Sequence, residues 1–160
     1  MLIIDSIIST GNEVATLHEA TTYFRSEQSG GIEDTLIMSL VQGAREMIEK
    51  YIDRSLVAHD IEIFVDQFKG FLPYGPVDRD SIVITGGENI TITGNKYPYI
   101  QTEVPLSIKY STEAYLSEDL KNAVLELAFY WYERGEFAGG EIPMKVKAVI
   151  NRHSRLNFVA

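Results

Sequence analysis

Apolar positions along this chain change period twice, from helical spacing to alternation and back. Leu36, Leu40, Ala44, Met47, Ile48 and Tyr51 recur every three or four residues, so they share one face of a helix over about 33–53. Ile37, Val41 and Ile52 widen that stripe. Glu33 and Asp34 fall in the first turn, where carboxylates suit the positive end of the helix dipole. Arg45 and Glu49, one turn apart, read as a surface pair on the other side, worth about 0.2–0.5 kcal/mol. A second helix is predicted over about 117–134, with Ser117 as N-cap and Gly135 beyond its end. Leu120, Val124, Leu127, Ala128 and Trp131 make one face. Ala123, Leu125, Phe129, Tyr130 and Tyr132 make it apolar over most of its circumference, which predicts neighbours on more than one side.

Shorter elements flank these two. Thr16-Leu17-His18-Glu19 is a capping box that opens a helix of about 17–24, and Ser29-Gly30-Gly31 breaks the chain after it. Pro143 suits the first turn of a last short helix through about Ile150. Between the long helices, over about 58–110, the period becomes two. Ile61, Ile63 and Val65 alternate with Glu62 and Phe64. Ile82 and Ile84, then Gly86-Gly87, then Ile90 and Ile92 read as a glycine-turned hairpin. Gly94-Asn95 marks another turn. Pro105 puts the next strand, Val104 to Tyr110, at an edge or at its own start. The opening MLIIDSIIST predicts a first strand or strand-like arm. Asp5 interrupts it and no basic residue precedes it, so it makes a poor signal peptide and is too short to span a membrane. The fold class expected is α+β, mainly α. A small helical bundle carries an inserted antiparallel sheet and ends in a short helix plus tail, all in one domain over 1–160.

Charge sharpens this picture. Residues 1–141 hold all 23 acids and ten of the 14 basic residues, a balance of −13; residues 142–160 hold Lys145, Lys147, Arg152 and Arg155 and no acid, a balance of +4. An acidic body argues against tight non-specific DNA binding, which draws on phosphate neutralisation. The basic end fits either a partner of opposite sign or a helix terminus complementing its own dipole.

Catalytic patterns are sparse. There is no cysteine, which removes disulfides, thiolate nucleophiles and cysteine-ligated metals. His18, His59 and His153 lack metal-ligand spacing, and no GxSxG, P-loop or GxGxxG run occurs. Gly86-Gly87 precedes Glu88, a poor neighbour for a phosphate. Glu133, Glu136 and Glu141 near Arg134 would make an acid–base site only in a shared cleft; a solvated helix end is the simpler reading. No cofactor is expected. The aromatic group Phe129, Tyr130, Trp131, Tyr132 and Phe137 fits a core between elements or a face toward a neighbouring subunit.

Four phrases in order carry a family resemblance: TLHEAT at Thr16–Thr21, AREMIEKYIDRSL at Ala44–Leu56, LPYGPV at Leu72–Val77 and SEDLKNAVLELAFYWYERGE at Ser117–Glu136. Together they resemble the head–tail connector (adaptor) proteins of long-tailed phages and the related gene transfer agents, over roughly Thr16 to Val149. His18 and Thr21 replace the family's usual acid and lysine, and Ser117-Glu118 stands where Val-Pro is common. The resemblance implies a structural, non-enzymatic virion protein of the neck, present in the host cytoplasm during assembly. It implies a twelve-fold ring beneath the portal protein that extends the DNA channel without binding DNA specifically. The ring would give a stopper or tail-completion protein its platform, with no membrane involved. In this family the C-terminal segment reaches toward the portal. Carried onto this chain, that segment is about 143–160, with Lys145, Lys147, Arg152, Arg155, Leu156, Phe158 and Val159 as portal contacts. It is expected to lack order until docked. Tyr130, Tyr132, Arg134 and Phe137 are the expected subunit-interface residues. Rival readings are a stopper one step lower in the neck, a small carboxylate enzyme, and a DNA-binding regulator using the basic C-terminal helix.

Overall fold

The computed structural model describes residues 1–25, 32–135 and 140–155. The chain forms two compact units, each assembled from separated stretches of sequence. Met1–Asn12 joins Arg54–Tyr115 in one, and Glu13–Asp53 joins the chain from Leu116 onward in the other.

The first unit is all β. Its strands are β1 (Leu2–Ser9), β2 (His59–Val65), β3 (Phe68–Phe71), β4 (Val83–Thr85), β5 (Thr91–Thr93), β6 (Tyr99–Thr102) and β7 (Leu106–Ser111). They form two antiparallel sheets, in the orders β1-β2-β7-β4 and β3-β6-β5. Alternation in β2 holds as read: Ile61, Ile63 and Val65 are buried. Leu72, Val77, Ile100, Leu106, Ile108 and Tyr110 join them in one core fed by both sheets. Each such aliphatic side chain contributes roughly 1.5–3 kcal/mol by leaving water. Asp5 is the point where the β1–β2 register slips, a bulge between Ile4 and Ser6.

Two expectations change here. The hairpin predicted over 82–92 does not form: β4 pairs with β7, whereas β5 pairs with β6 in the other sheet. Gly86 and Asn89, both at positive φ, lie in the segment that carries the chain from one sheet to the other. Period-two alternation marks a strand and leaves its partner open. Pro105 does precede the start of β7, but β7 lies inside its sheet, between β2 and β4.

The second unit is helical: α1 (Leu17–Phe24), α2 (Ile32–Ile52), α3 (Glu118–Arg134) and α4 (Met144–Ile150). The capping box is present, with Glu19 N–H donating to Thr16 Oγ1 at 3.2 Å and Thr16 N–H donating to Glu19 Oε2 at 2.8 Å. α3 packs against α1, α2 and α4, which explains its nearly all-round apolar surface. Ser117 occupies the N-cap position without making a side-chain cap; its hydroxyl bonds Asp119, whose Oδ1 accepts the Leu120 N–H at 3.0 Å.

The buried arc of α2 is rotated from the expected stripe. Ile37, Leu40, Val41, Ala44, Ile48 and Ile52 are buried, and Leu36 is exposed. Arg45 and Glu49 are buried too, each about 2% accessible, so the surface reading of this pair is wrong. Arg45 Nη1 donates to Glu49 Oε2 at 2.8 Å and its Nε to Glu13 Oε1 at 2.9 Å. Gln42, Glu46 and Lys50 keep an open face on α2, whereas Arg45 and Glu49 lie on its packed flank, where Glu13 from the segment before α1 also meets the guanidinium. Among the described residues the protein is mixed α+β, about 41% helix and 27% strand, rather than mainly α.

Candidate interaction surfaces

Two of the four resemblance phrases meet inside the β unit. Arg54 and Gly75 form a parallel bridge, Ser55 N–H donates to Gly75 O at 2.9 Å, and Ser55 Oγ donates to Tyr74 O at 2.6 Å. Arg54 lies over the rings of Tyr115 and Tyr97, 4.3 and 5.2 Å from their centroids, and its Nη1 donates to Tyr97 Oη at 2.7 Å. The DRSL end of one phrase and the PYGP of the other are therefore one local structure. Cation–π contact and hydrogen bonds fix the arginine there.

The basic C-terminal segment is folded where it is described, contrary to the expectation of a tail without order. Val146 and Ile150 are buried, so α4 is an integral part of the helical unit. Its cations differ in what they offer a partner. Arg155 donates to Asp53 O at 3.3 Å and lies the same distance from Asp53 Oδ2, which ties it to the end of α2. Lys145 meets Glu126 Oε1 at 3.1 Å while remaining largely in solvent. Glu126 also accepts the Tyr23 hydroxyl, and these two donors, Tyr23 first, hold its carboxyl below its usual range. Burial and the same carboxylate push the Tyr23 phenol up to about 12. Arg152 is exposed and Lys147 half-buried. Leu156, Phe158 and Val159 lie outside the described residues.

Of the expected interface aromatics, Tyr132 stacks on Phe24 at 5.3 Å and Phe129 on the same ring at 5.4 Å. Trp131 is buried and donates its Nε1–H to Glu141 O at 3.1 Å. Trp131 and Phe24 belong to the helical core, and Phe129 and Tyr132 pack on its margin half-buried. Tyr130 remains part-exposed, with the Arg134 guanidinium 4.6 Å above its ring. Phe137 and Glu136 lie outside the described residues. Glu133 and Glu141 are both exposed.

The histidines are scattered. His59 is buried in β2 with its Nδ1 3.2 Å from Ser9 Oγ, and His153 Nε2 sits 2.7 Å from Asp119 Oδ2. Among the described residues no cluster of His, Asp or Glu could hold a metal ion, and no helix is long and apolar enough to cross a membrane. The Asp119–His153 contact clasps the start of α3 to the turn after α4, a pairing that no residue spacing signals. His153 first, then the Ser117 hydroxyl, hold the Asp119 carboxyl at about 2, below its ordinary 3.8. A depressed carboxylate stabilises the fold above its unfolded value and loses that contribution as pH falls through the folded one. Asp119 is part-exposed, so the contribution stays below about 1 kcal/mol. Asp119→Asn is therefore expected to lower urea stability modestly at pH 6. The gap to the unmodified protein should close between about pH 4 and pH 2; a gap that widened on acidification would contradict this account.

A helical unit interrupted by a two-sheet β unit, with the first strand supplied by the chain's opening residues, defines the fold. Two solved structures share it. A chain in the neck of an empty gene transfer agent (GTA) particle, computed with C6 symmetry, is 20% identical, with a TM-score of 0.66 over 93% of this chain and 95% of that one. A chain in the virion of a native GTA particle is 18% identical, with a TM-score of 0.67 over 96% of this chain and 95% of that one. No family model and no curated protein matches the sequence.

Proposed function

We propose that this chain is a structural neck protein of a virion or gene transfer agent, and specifically a head–tail connector of the adaptor type. Its copies form a ring beneath the portal protein, extend the DNA channel and offer a platform to the stopper and tail. The carrying observation is the agreement of fold, nearly end to end, with a chain from a GTA particle neck. The four phrases that resemble adaptors run through both units of that fold. That neck was computed with C6 symmetry, under which twelve copies divide evenly. The acidic body suits a channel in which DNA must slide, because like charge gives no counterion-release affinity. The protein would reside in the neck of the finished particle and in the host cytoplasm during assembly, and would act without catalysis.

Arg152 and Lys147 are the described cations best placed to meet a portal, with Leu156, Phe158 and Val159 as the apolar part of the same contact. The test is electron microscopy of the portal ring of the same particle after addition of this protein. A second ring beneath the portal is expected, and Lys147→Glu with Arg152→Glu should lower its occupancy about tenfold. Shortening should stop at residue 155, since a cut at 142 would strip Val146 and Ile150 from the helical core. An added ring untouched by charge reversal and by shortening would move the portal contact to the helical body. No binding to portal, together with binding to a tail component, would make the protein a stopper.

A further inference from the structure

The four-stranded sheet ends in two edges of unlike design. β1 is eight residues long, contains no lysine or proline, and carries Leu2, Ile3, Ile4, Ile7 and Ile8. Among the described residues it pairs with β2 alone. Ile3 and Ile8 are 46% and 61% exposed, and Ile4 and Ile7 are 37% and 40% exposed although they lie on the core side of the sheet. Asp66 N–H donates to Met1 O, and Met1 N donates to Asp66 O. Thr10 N–H donates to Ala58 O at the other end of the pairing. Backbone groups alternate inward and outward in an antiparallel pair. Those of Leu2, and beyond the bulge those of Ile7 and Ser9, therefore point away from β2. Soluble proteins ordinarily blunt such edges with charge, bulges, proline or brevity; here Asp5 and its bulge interrupt the edge once and leave Leu2–Ile4 and Ser6–Ser9 as apolar templates for another strand.

The opposite edge, β4, is short and pairs among the described residues only with β7; it exposes Val83 to 58%. Every pairing in the sheet is antiparallel and the strands number four, so β1 and β4 run in opposite directions. Two copies set side by side in the same orientation bring β4 of one against β1 of the next, again antiparallel. We propose that the subunits join in this way, so that the sheet continues from copy to copy around the ring. The occupant of the β1 edge is then a second copy of this chain, taken through main-chain pairing. This inference rests on the ring reading above. Pairing of β1 with β1 would be two-fold and would stop at a dimer, whereas head-to-tail pairing propagates until it closes. Ile3, Ile8 and Val83 lie on one face of the sheet, since their partners across the strands are Phe64, Asp60 and Lys109, which alternate with the core residues of β2 and β7. They would meet across the seam.

The chain has no cysteine, so introduced pairs report without background. Ile8→Cys with Val83→Cys, and Ile3→Cys with Val83→Cys, sample two registers across the seam. Rings assembled on the portal would be mildly oxidised and run on a denaturing, non-reducing gel. One double variant is expected to give a ladder beyond the dimer, and each single variant none. Ile8→Lys is expected to keep its circular dichroism and lose about tenfold in assembled ring. Rings visible by microscopy with no ladder from either pair would overturn the seam and leave the connector reading standing. A dimer from Ile8→Cys alone would replace it with β1–β1 pairing. Absence of any ring would remove the connector reading, and the seam with it.

Discussion

Arg45→Met is expected to destabilise the helical unit by about 3–5 kcal/mol, enough to unfold a marginal domain. Burial opposes the charged guanidinium, but Glu49 and then Glu13 overcome that opposition and hold it above its usual range. Removing the arginine takes away the cation 2.8 Å from the buried Glu49 carboxylate, and the loss of that pairing is the source of the cost. Glu13 is more accessible and can be rehydrated. Adding Glu49→Leu to Arg45→Met should therefore recover at least about half of the loss, since a buried pair is often replaced by apolar groups without penalty. Urea unfolding followed by the fluorescence of the single tryptophan measures both variants. A loss under about 1 kcal/mol for the single change, or no recovery in the double, would show that water reaches Glu49 once Arg45 is gone.

Trp131→Ala should cost a similar amount, about 3–5 kcal/mol, through a different mechanism. The indole is fully buried within the helical unit, and its Nε1–H is bonded to Glu141 O. Alanine removes the largest side chain of that core and opens a cavity. Trp131→Phe keeps most of the apolar volume and forfeits the hydrogen bond, for a loss nearer 1–2 kcal/mol. Circular dichroism is the probe here, because the substitutions remove the fluorophore. Equal losses for the two variants would mean that the indole N–H, and not the ring volume, dominates.

Helices were more legible than sheets in this chain, and the reason is local. Three- and four-residue spacing and a capping box are written within one helix, so α1, α2 and α3 lie within a residue or so of their predicted spans. Which flank of α2 is buried depends on what packs there, and the sequence could not show that Arg45 and Glu49 are enclosed. Strands β4 and β5 were legible as strands, but their partners, β7 and β6, are set by contacts across the fold. Of the candidate surfaces, Lys145, Lys147 and Arg152 were read from charge, and Arg155 was read with them although it bonds Asp53. Aromatic density could not show which rings pack on which: Tyr132 lies against Phe24 and remains half-buried. The open edge of β1 had no sequence signal, since exposure of an isoleucine is a property of the sheet around it.

β1 precedes α1 and α2 in the chain, yet Leu2 pairs with Val65 and Ser9 with His59. Translation must therefore deliver α1 and the whole of α2 before the first strand has anything to pair with. The entropy of closing that long loop has to be met before any β1 hydrogen bond forms, which places the sheet late in the folding order and the helices early. In the interval the newborn chain carries an unpaired, isoleucine-rich segment. Timing of synthesis, as much as the final fold, then decides whether that segment finds β2 or a neighbouring nascent chain.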